Sequence, residues 1–398
     1  MLRTRLALTA AGLSLLVAIP VSCRSRTLPS DSGQPPVLRS AFYDYRVVTV
    51  ADGLEHPWSI AFLPGGDMLV TERPGRLRIV RQGTLLADPV PGVPDVFAEG
   101  QGGLLDVVPH PDFASNRLLY LSFSKPNADG STTAVVRGRF ENDRITGIEE
   151  IFEAVSEGRG HYGSRLAFDR DGFLFITVGE RQAPSSGDLE AHPAQDLTNH
   201  HGTTIRLHDD GRVPADNPFA DRVDALPEIW SYGHRNPQGL AIHPETGNVW
   251  LTEHGPQGGD ELNLVLPGLN YGWPVVGYGV NYRSGSAIHE GTHREGMEPP
   301  VHFWVPSIAT SGLLIYTGDR FPEWRGNMFV GGMAGEQLAR LSMDGMDGQQ
   351  VEIEETLVHG IGRIRDVRQG PDGYIYLAID DSEGAPTRIV RLEPASES

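Results

Sequence analysis

The stretch "DRDGFLFITVGE", residues 169–180, opens on a turn and runs straight into an apolar strand. Asp and Gly favour turns, while Phe, Leu, Ile, Thr and Val side by side suit a buried pleated surface. The unit recurs. "LPGGDMLVTER" from Leu63, "HPDFASNRLLYLSFS" from His110, "HPETGNVWLTEHG" from His243, "FPEWRGNMFVGGM" from Phe321 and "GPDGYIYLAIDD" from Gly370 bring the number of copies to six. Their starts fall roughly 45 to 80 residues apart, room for about four strands each, which is the period of a β-propeller blade. The sequence therefore predicts an all-β chain, a six-bladed β-propeller with long inserted loops, over residues 41–398. An irregular β-sandwich would leave six copies of one unit unexplained. The uneven spacing puts the insertions mainly between residues 180 and 310, and inserted loops are where function gathers.

Composition agrees with many short strands and tight turns. The 398 residues include 48 glycines and 30 prolines, with 39% hydrophobic and 21% charged residues. A formal charge of −19 repels nucleic acid phosphates, and no run of Lys and Arg offsets it locally, so a nucleic acid partner is not expected. An acidic surface does suit divalent cations. Residues 1–22 join Arg3 and Arg5 to the apolar run "LALTAAGLSLLVAI", too short for a stable membrane span and read as an export signal, which makes the mature protein periplasmic or otherwise extracytoplasmic. Cys23, the single cysteine, follows in "IPVSC", a placement resembling a bacterial lipoprotein cleavage site although Pro20 stands where leucine is usual. Lipid attachment at Cys23, giving a membrane tether, and ordinary cleavage nearby are the two readings. The polar, proline-rich residues 23–40 are expected to form a flexible tether.

A propeller gathers loops from every blade around one axis, so function is argued from the loops. Gln101 sits between glycines in "AEGQGGLLDVV", an exposed amide that would ordinarily be only solvated. His161 precedes the strand "RLAFD", in which Arg165 alternates with apolar residues as on a strand edge; a lone histidine is more often a structural hydrogen-bonder than a catalyst. "WSYGHRNPQGLAIHP" packs His234, Arg235 and Asn236 into a turn that would aim a planar guanidinium and an amide in one direction, although turn asparagines often serve only as caps. Arg363 and Arg365 are two apart on an extended segment and so share a side, which suits either a carboxylate or phosphate clamp or a solvated strand face. "LTEHGPQGGDELNLVLPGLNYGWP" supplies Glu253, Asp260 and Glu261 in a glycine-rich loop, with backbone carbonyls at Gly255 and Pro256: oxygen donors of the kind Ca²⁺ prefers, or simply a turn.

Taken in order, "HYGSRL", "GHRNPQGLA", "HGPQGGDELN", "LNYGWP" and "RIRDVRQGPDGYIY" resemble the soluble quinoprotein glucose/sorbosone dehydrogenase family, and its aldose sugar dehydrogenase branch above all, over roughly residues 44–393. The resemblance implies a six-bladed propeller that binds pyrroloquinoline quinone (PQQ) on its axis, uses Ca²⁺, and oxidises the C1 hydroxyl of an aldose sugar to a lactone by hydride transfer to PQQ. It implies His161 as general base and Arg235 facing the quinone oxygen where charge develops. Asn236 would orient the cofactor, Gln101 would bond near the reacting centre, and Arg363 and Arg365 would clamp cofactor carboxylates. Gly255 and Pro256 would hold the cofactor-bound Ca²⁺, and Glu261 with the Tyr271 carbonyl a second, structural one. Electrons would leave to a separate acceptor such as a quinone, a small haem protein or a dye.

Two departures from the family pattern stand out. Ala334 occupies a position where glucose-oxidising members carry a lysine, and Gly160 stands where they carry an aspartate before the histidine. Two other readings stay open: a non-catalytic propeller binding a glycan or protein partner, and a calcium-dependent sugar lactonase, which would need several carboxylates on the axis.

Overall fold

The structure, a computed structural model, describes residues 35–128, 130–344 and 350–395. The expected export signal, Cys23 and most of the expected tether lie outside the described residues. The end of that tether does not: Val37–Arg39 is a strand paired antiparallel with residues 44–46, so the folded body begins before residue 41. Among the described residues no helix is long and apolar enough to cross a membrane.

Six antiparallel sheets follow one another along the chain, as the six repeats predict. Five have four strands each, spanning residues 57–85, 104–153, 166–231, 237–304 and 310–359. The sixth combines the C-terminal strands Arg363–Gln369, Ile375–Asp380 and Thr387–Pro394 with the N-terminal Asp44–Leu54, and Val37–Arg39 at its edge. Each quoted repeat unit turns out to be the hairpin turn plus the second strand of a blade, for example Leu174–Val178 in the third and Val249–Glu253 in the fourth. All five residues of each of these strands are buried, because both faces of a middle strand are covered by the neighbouring blades. That is why the sequence shows continuous apolar runs there rather than alternation.

The core is correspondingly divided. Six apolar clusters each join two consecutive blades: Leu69 and Leu121 meet between the first and second, Val135 and Ile176 between the second and third, and Phe175 and Leu251 between the third and fourth. Trp250 and Val330 meet next, then Phe329 and Leu377, and Val70 with Ala378 closes the circle.

The innermost strands shape the axis. In five of the six blades the pairing of the first strand with the second slips near its start, between Pro57 and Ser59, Leu104 and Val107, Pro237 and Gly239, Thr310 and Leu313, and Ile364 and Asp366. Such bulges re-aim side chains. Gln238 and Arg365 lie inside two of them. The third blade's inner strand is only Leu166–Phe168, and the chain just before it takes left-handed conformations at His161 and Ser164.

Candidate functional site

The loops at one end of the axis enclose three adjoining cavities, and His254 borders all of them. Every residue to which the family resemblance gives a role lines at least one. Gln101, His161, Arg235 and Pro256 face an outer chamber of about 510 Å³; Gln101, Asn236, Arg363 and Arg365 face an axial cavity of about 310 Å³; Arg235, Gly255, Pro256, Glu261 and Tyr271 surround a small pocket of about 20 Å³.

His161 is buried and fixed from two sides. Its backbone N–H donates to Gln101 Oε1 at 2.7 Å, and its Nδ1 lies 2.7 Å from Glu180 Oε2. With Nδ1–H donating to the carboxylate, Nε2 keeps the ring's lone pair. Burial lowers the imidazole pKa; Glu180 raises it in part, Arg235 and Arg181 lower it again, and the net position is below the ordinary value. Burial would raise the Glu180 carboxyl, but His161, Arg235 and the Gln182 N–H outweigh it and leave Glu180 below the usual range. The pair therefore presents a neutral imidazole backed by a carboxylate at neutral pH. That arrangement can take up a proton.

The axial cavity has the opposite character. Arg73, Arg363 and Arg365 line it against a single carboxylate, Asp380, and the Nε atoms of all three guanidiniums are buried without a partner. Arg365 donates to Gln238 Oε1 at 3.1 Å and lies 3.8 Å from Asp380; burial, first of all, pushes its pKa down to about 9. Unpaired cationic donors around a cavity call for an anion with several acceptor oxygens, and the carboxylates of PQQ meet that description. Asn236 Oδ1 is held at the wall, accepting from Gln238 Nε2 at 3.1 Å.

At the third pocket Glu253 and Glu261 are direct cross-strand partners. Asn263 Nδ2 bridges them at 3.0 and 3.2 Å, while Asn263 Oδ1 is buried with no partner. Burial, followed by the charges of Glu253 and Asp260, holds the Glu261 carboxyl well above the carboxylate range. A hard cation would relieve the crowded carboxylates, and the cavity has room for one water-sized body. Among the described residues no three His, Cys, Asp or Glu side chains cluster as a metal site, so a cation here would rely on backbone oxygens as well. Asp260 does not line this pocket; its two oxygens accept the N–H groups of Gly255 at 2.9 Å and Thr310 at 3.1 Å. The Gly255 carbonyl is also engaged, by Arg235 Nη1 at 2.7 Å, so a cation bound to that oxygen requires the guanidinium to swing aside.

Other residues behave differently from their sequence reading. Arg165 is not on a strand edge but fully buried on the axis, 2.9 Å from Asp366, over the Trp58 ring, and donating to the carbonyls of Gln238 and Arg365. It sits in an ion network with Asp106, Asp366 and Arg368. His234 is structural, held by Glu253 and Ser231 and stacked on Tyr271. Ala334 is a turn residue bonded through its backbone to Ile308, and Lys125, the chain's only lysine, is paired with Glu150 and Glu153 far along the second blade.

Sequence reasoning overlooked Arg73, Glu180, His254, Met333 and Asp380. A signal was there: each stands at or just past the end of a repeated strand, in "TER", "VGE", "TEH", "GGM" and "AID", where a blade's second strand delivers its last side chain to the axis.

A propeller with an anion-seeking cavity on its axis, a carboxylate-held imidazole at the mouth and a carboxylate pair beside it is built for catalysis with a bound anionic group. Residues 54–391 match the Glucose / Sorbosone dehydrogenase family, and the chain belongs to it. It is 45% identical over 353 residues to the aldose sugar dehydrogenase YliI of Escherichia coli, covering 86% of this chain and 92% of that one. The solved soluble aldose sugar dehydrogenase (Asd) from Escherichia coli, in its apo form, superposes with a TM-score of 0.80 at 42% identity, over 88% of this chain and 99% of that one. The PQQ-bound aldose sugar dehydrogenase of Streptomyces coelicolor gives 0.68 at 30% identity, over 88% and 98%.

Proposed function

We propose that the protein is a PQQ- and Ca²⁺-dependent aldose dehydrogenase that oxidises the C1 hydroxyl of an aldose to a lactone and passes the electrons to a separate acceptor, a quinone, a small haem protein or a dye. The observation that carries this reading is the pairing of two unlike cavities: three guanidiniums with unsatisfied Nε atoms in one, and the His161–Glu180 pair facing the other, with Gln101 and His254 between them. PQQ, when bound, supplies the two-electron acceptor for the hydride that leaves C1. Arg73, Arg363, Arg365 and Asn236 would hold it, and Arg73 would provide a third cation in the absence of a lysine near Ala334.

In this reading His161 Nε2 accepts the C1 hydroxyl proton, and Glu180 keeps the ring in the tautomer that leaves that nitrogen free. As the imidazolium forms, the carboxylate 2.7 Å away stabilises it. Arg235 supplies a positive charge at the junction of the outer chamber and the cation pocket. Pro256, which also lines the outer chamber, and, once released by Arg235, Gly255 would offer carbonyls to a cofactor-bound Ca²⁺; Glu261, Glu253 and the Tyr271 carbonyl would hold a structural one in the small pocket. A lactonase would need several carboxylates free to hold a metal on the axis; here Asp380 alone lines the axial cavity, against three guanidiniums, and Asp106 and Asp366 are paired with Arg165 and Arg368. Export guided by residues 1–22, with a tether at Cys23, belongs to the same proposal.

The test is dye-linked oxidation of a panel of aldoses by metal-stripped protein, with PQQ and Ca²⁺ added singly and together. Activity only when both are present is expected. A protein that neither binds PQQ nor oxidises any sugar would overturn the proposal.

A further inference from the structure

Glu180 Oε2 accepts two hydrogen bonds, one from His161 and a second, at 2.6 Å, from the backbone N–H of Gln182. That second bond depends on an unusual backbone. Arg181 and Gln182 both adopt left-handed conformations, with φ of 62° and 60°, which non-glycine residues seldom do in succession. Strain of this kind persists where the surroundings enforce a particular placement. Here it turns the Gln182 side chain back toward the outer chamber, whose wall it forms together with His161. The residue is exposed, and among the described residues its side-chain amide has no hydrogen-bond partner within the protein, so the amide is open to the chamber.

The amide occupies space that another residue leaves vacant. A Cβ placed on Gly160, the neighbour of His161, would stand 2.6 Å from Gln182 Oε1 and 2.8 Å from Nε2, with Cδ nearer still. The backbone at Gly160 is not left-handed, and these three atoms are the nearest a Cβ would meet. A Cβ at position 160 would therefore displace the Gln182 amide, whereas the chain conformation there does not itself demand glycine.

Resting on the dehydrogenase reading above, we propose that Gln182 is a sugar-specificity residue, whose amide hydrogen-bonds the hydroxyl next to the reacting carbon, the C2 hydroxyl of the bound aldose. An amide carries both donors and an acceptor, so it can read a neutral hydroxyl in either sense without adding a charge beside the base. Its tie to Glu180 through the backbone fixes it relative to His161, which places the C2 contact in register with the C1 proton transfer. No electrons or protons move through Gln182.

The test compares D-glucose with 2-deoxy-D-glucose on the PQQ- and Ca²⁺-reconstituted parent, Gln182→Ala and Gly160→Ala. The ratio of kcat/KM for the two sugars should fall about 3- to 10-fold in both variants, the net worth of one lost neutral hydrogen bond. Gly160→Ala acts by pushing the amide out of its place, so it should reproduce the loss while leaving Gln182 in the chain. PQQ binding and the melting temperature should match the parent. An unchanged ratio, whatever the absolute rates, overturns the inference, because damage to folding or to the base slows both sugars alike. A parent that oxidises neither these sugars nor any other aldose overturns the dehydrogenase reading itself, and this inference with it.

Discussion

Glu180→Gln removes a charge from the site while keeping its shape. The glutamine amide oxygen can still accept from His161 Nδ1 and from the Gln182 N–H, so the ring should stay where the carboxylate now holds it at 2.7 Å. What goes is the attraction between carboxylate and imidazolium. An opposite charge at such a distance raises a histidine pKa by about 1 to 3 units, and each unit corresponds to about 1.4 kcal/mol of imidazolium stability. If His161 is protonated in the transition state, the loss appears there, and kcat/KM should fall by about 10- to 1000-fold at its plateau. The pH dependence supplies a second readout with a definite sign. Activity needs the neutral ring, so it fails on acidification through the His161 pKa, which already lies below the ordinary histidine value. Without Glu180, the group that raises that pKa, the acid limb should move to still lower pH. The assay is dye-linked turnover of the reconstituted enzyme from acid to neutral pH, with PQQ binding checked separately. A variant with a plateau within about twofold of the parent and an unmoved acid limb would refute the assignment of His161 and Glu180 as the proton-accepting pair.

Two further outcomes follow from the cavities. Arg363→Gln or Arg365→Gln should weaken PQQ binding by about 10- to 100-fold in an absorbance titration, the cost of one charge-assisted contact, and equal affinity in both variants and the parent would remove the clamp. Glu261 has a folded pKa raised above its unfolded one, so the metal-free protein should lose stability as pH rises through that value. Ca²⁺ should restore the loss. Glu261→Gln should abolish the calcium-dependent gain in melting temperature and flatten the pH dependence, and a variant that still gains stability from Ca²⁺ as the parent does would place the cation elsewhere.

The propeller was legible because the hairpin turn and second strand of each blade are nearly autonomous in sequence: "DRDGFLFITVGE" needs its turn residues and an unbroken apolar run whatever lies around it. The inner strands were not legible in the same way. Bulges at Gln238 and Arg365 disturb their pairing, and a three-residue strand such as Leu166–Phe168 leaves little pattern to detect. That is also why Arg165 read as an edge residue. Its burial is decided by Asp106 and Asp366, which arrive from two other blades. The candidate site divides along the same line. Residues inside distinctive turns, such as His161, Arg235 and Asn236, could be picked out, whereas Arg73 and Glu180 gain meaning only when six strand ends converge on one axis. The end of the tether was misplaced because Val37–Arg39 pairs with a strand only a few residues further on, and nothing in three residues announces an edge strand.

The sixth sheet is shared by the two ends of the chain, residues 45–54 pairing with residues 387–394. A ring fastened in this way has no closed intermediate: until residues 387–394 are synthesised, the sixth sheet is in two parts, with bare edges at Asp44–Leu54 and Ile375–Asp380, and the cluster that joins Val70 to Ala378 lacks Ile389. The strand Thr387–Pro394 thus acts as a clasp, and the molecule's competence to hold anything on its axis waits on residues 387–394 to emerge. A chain that loses them keeps most of its sequence, yet it is left with two open edges of the kind that recruit other chains.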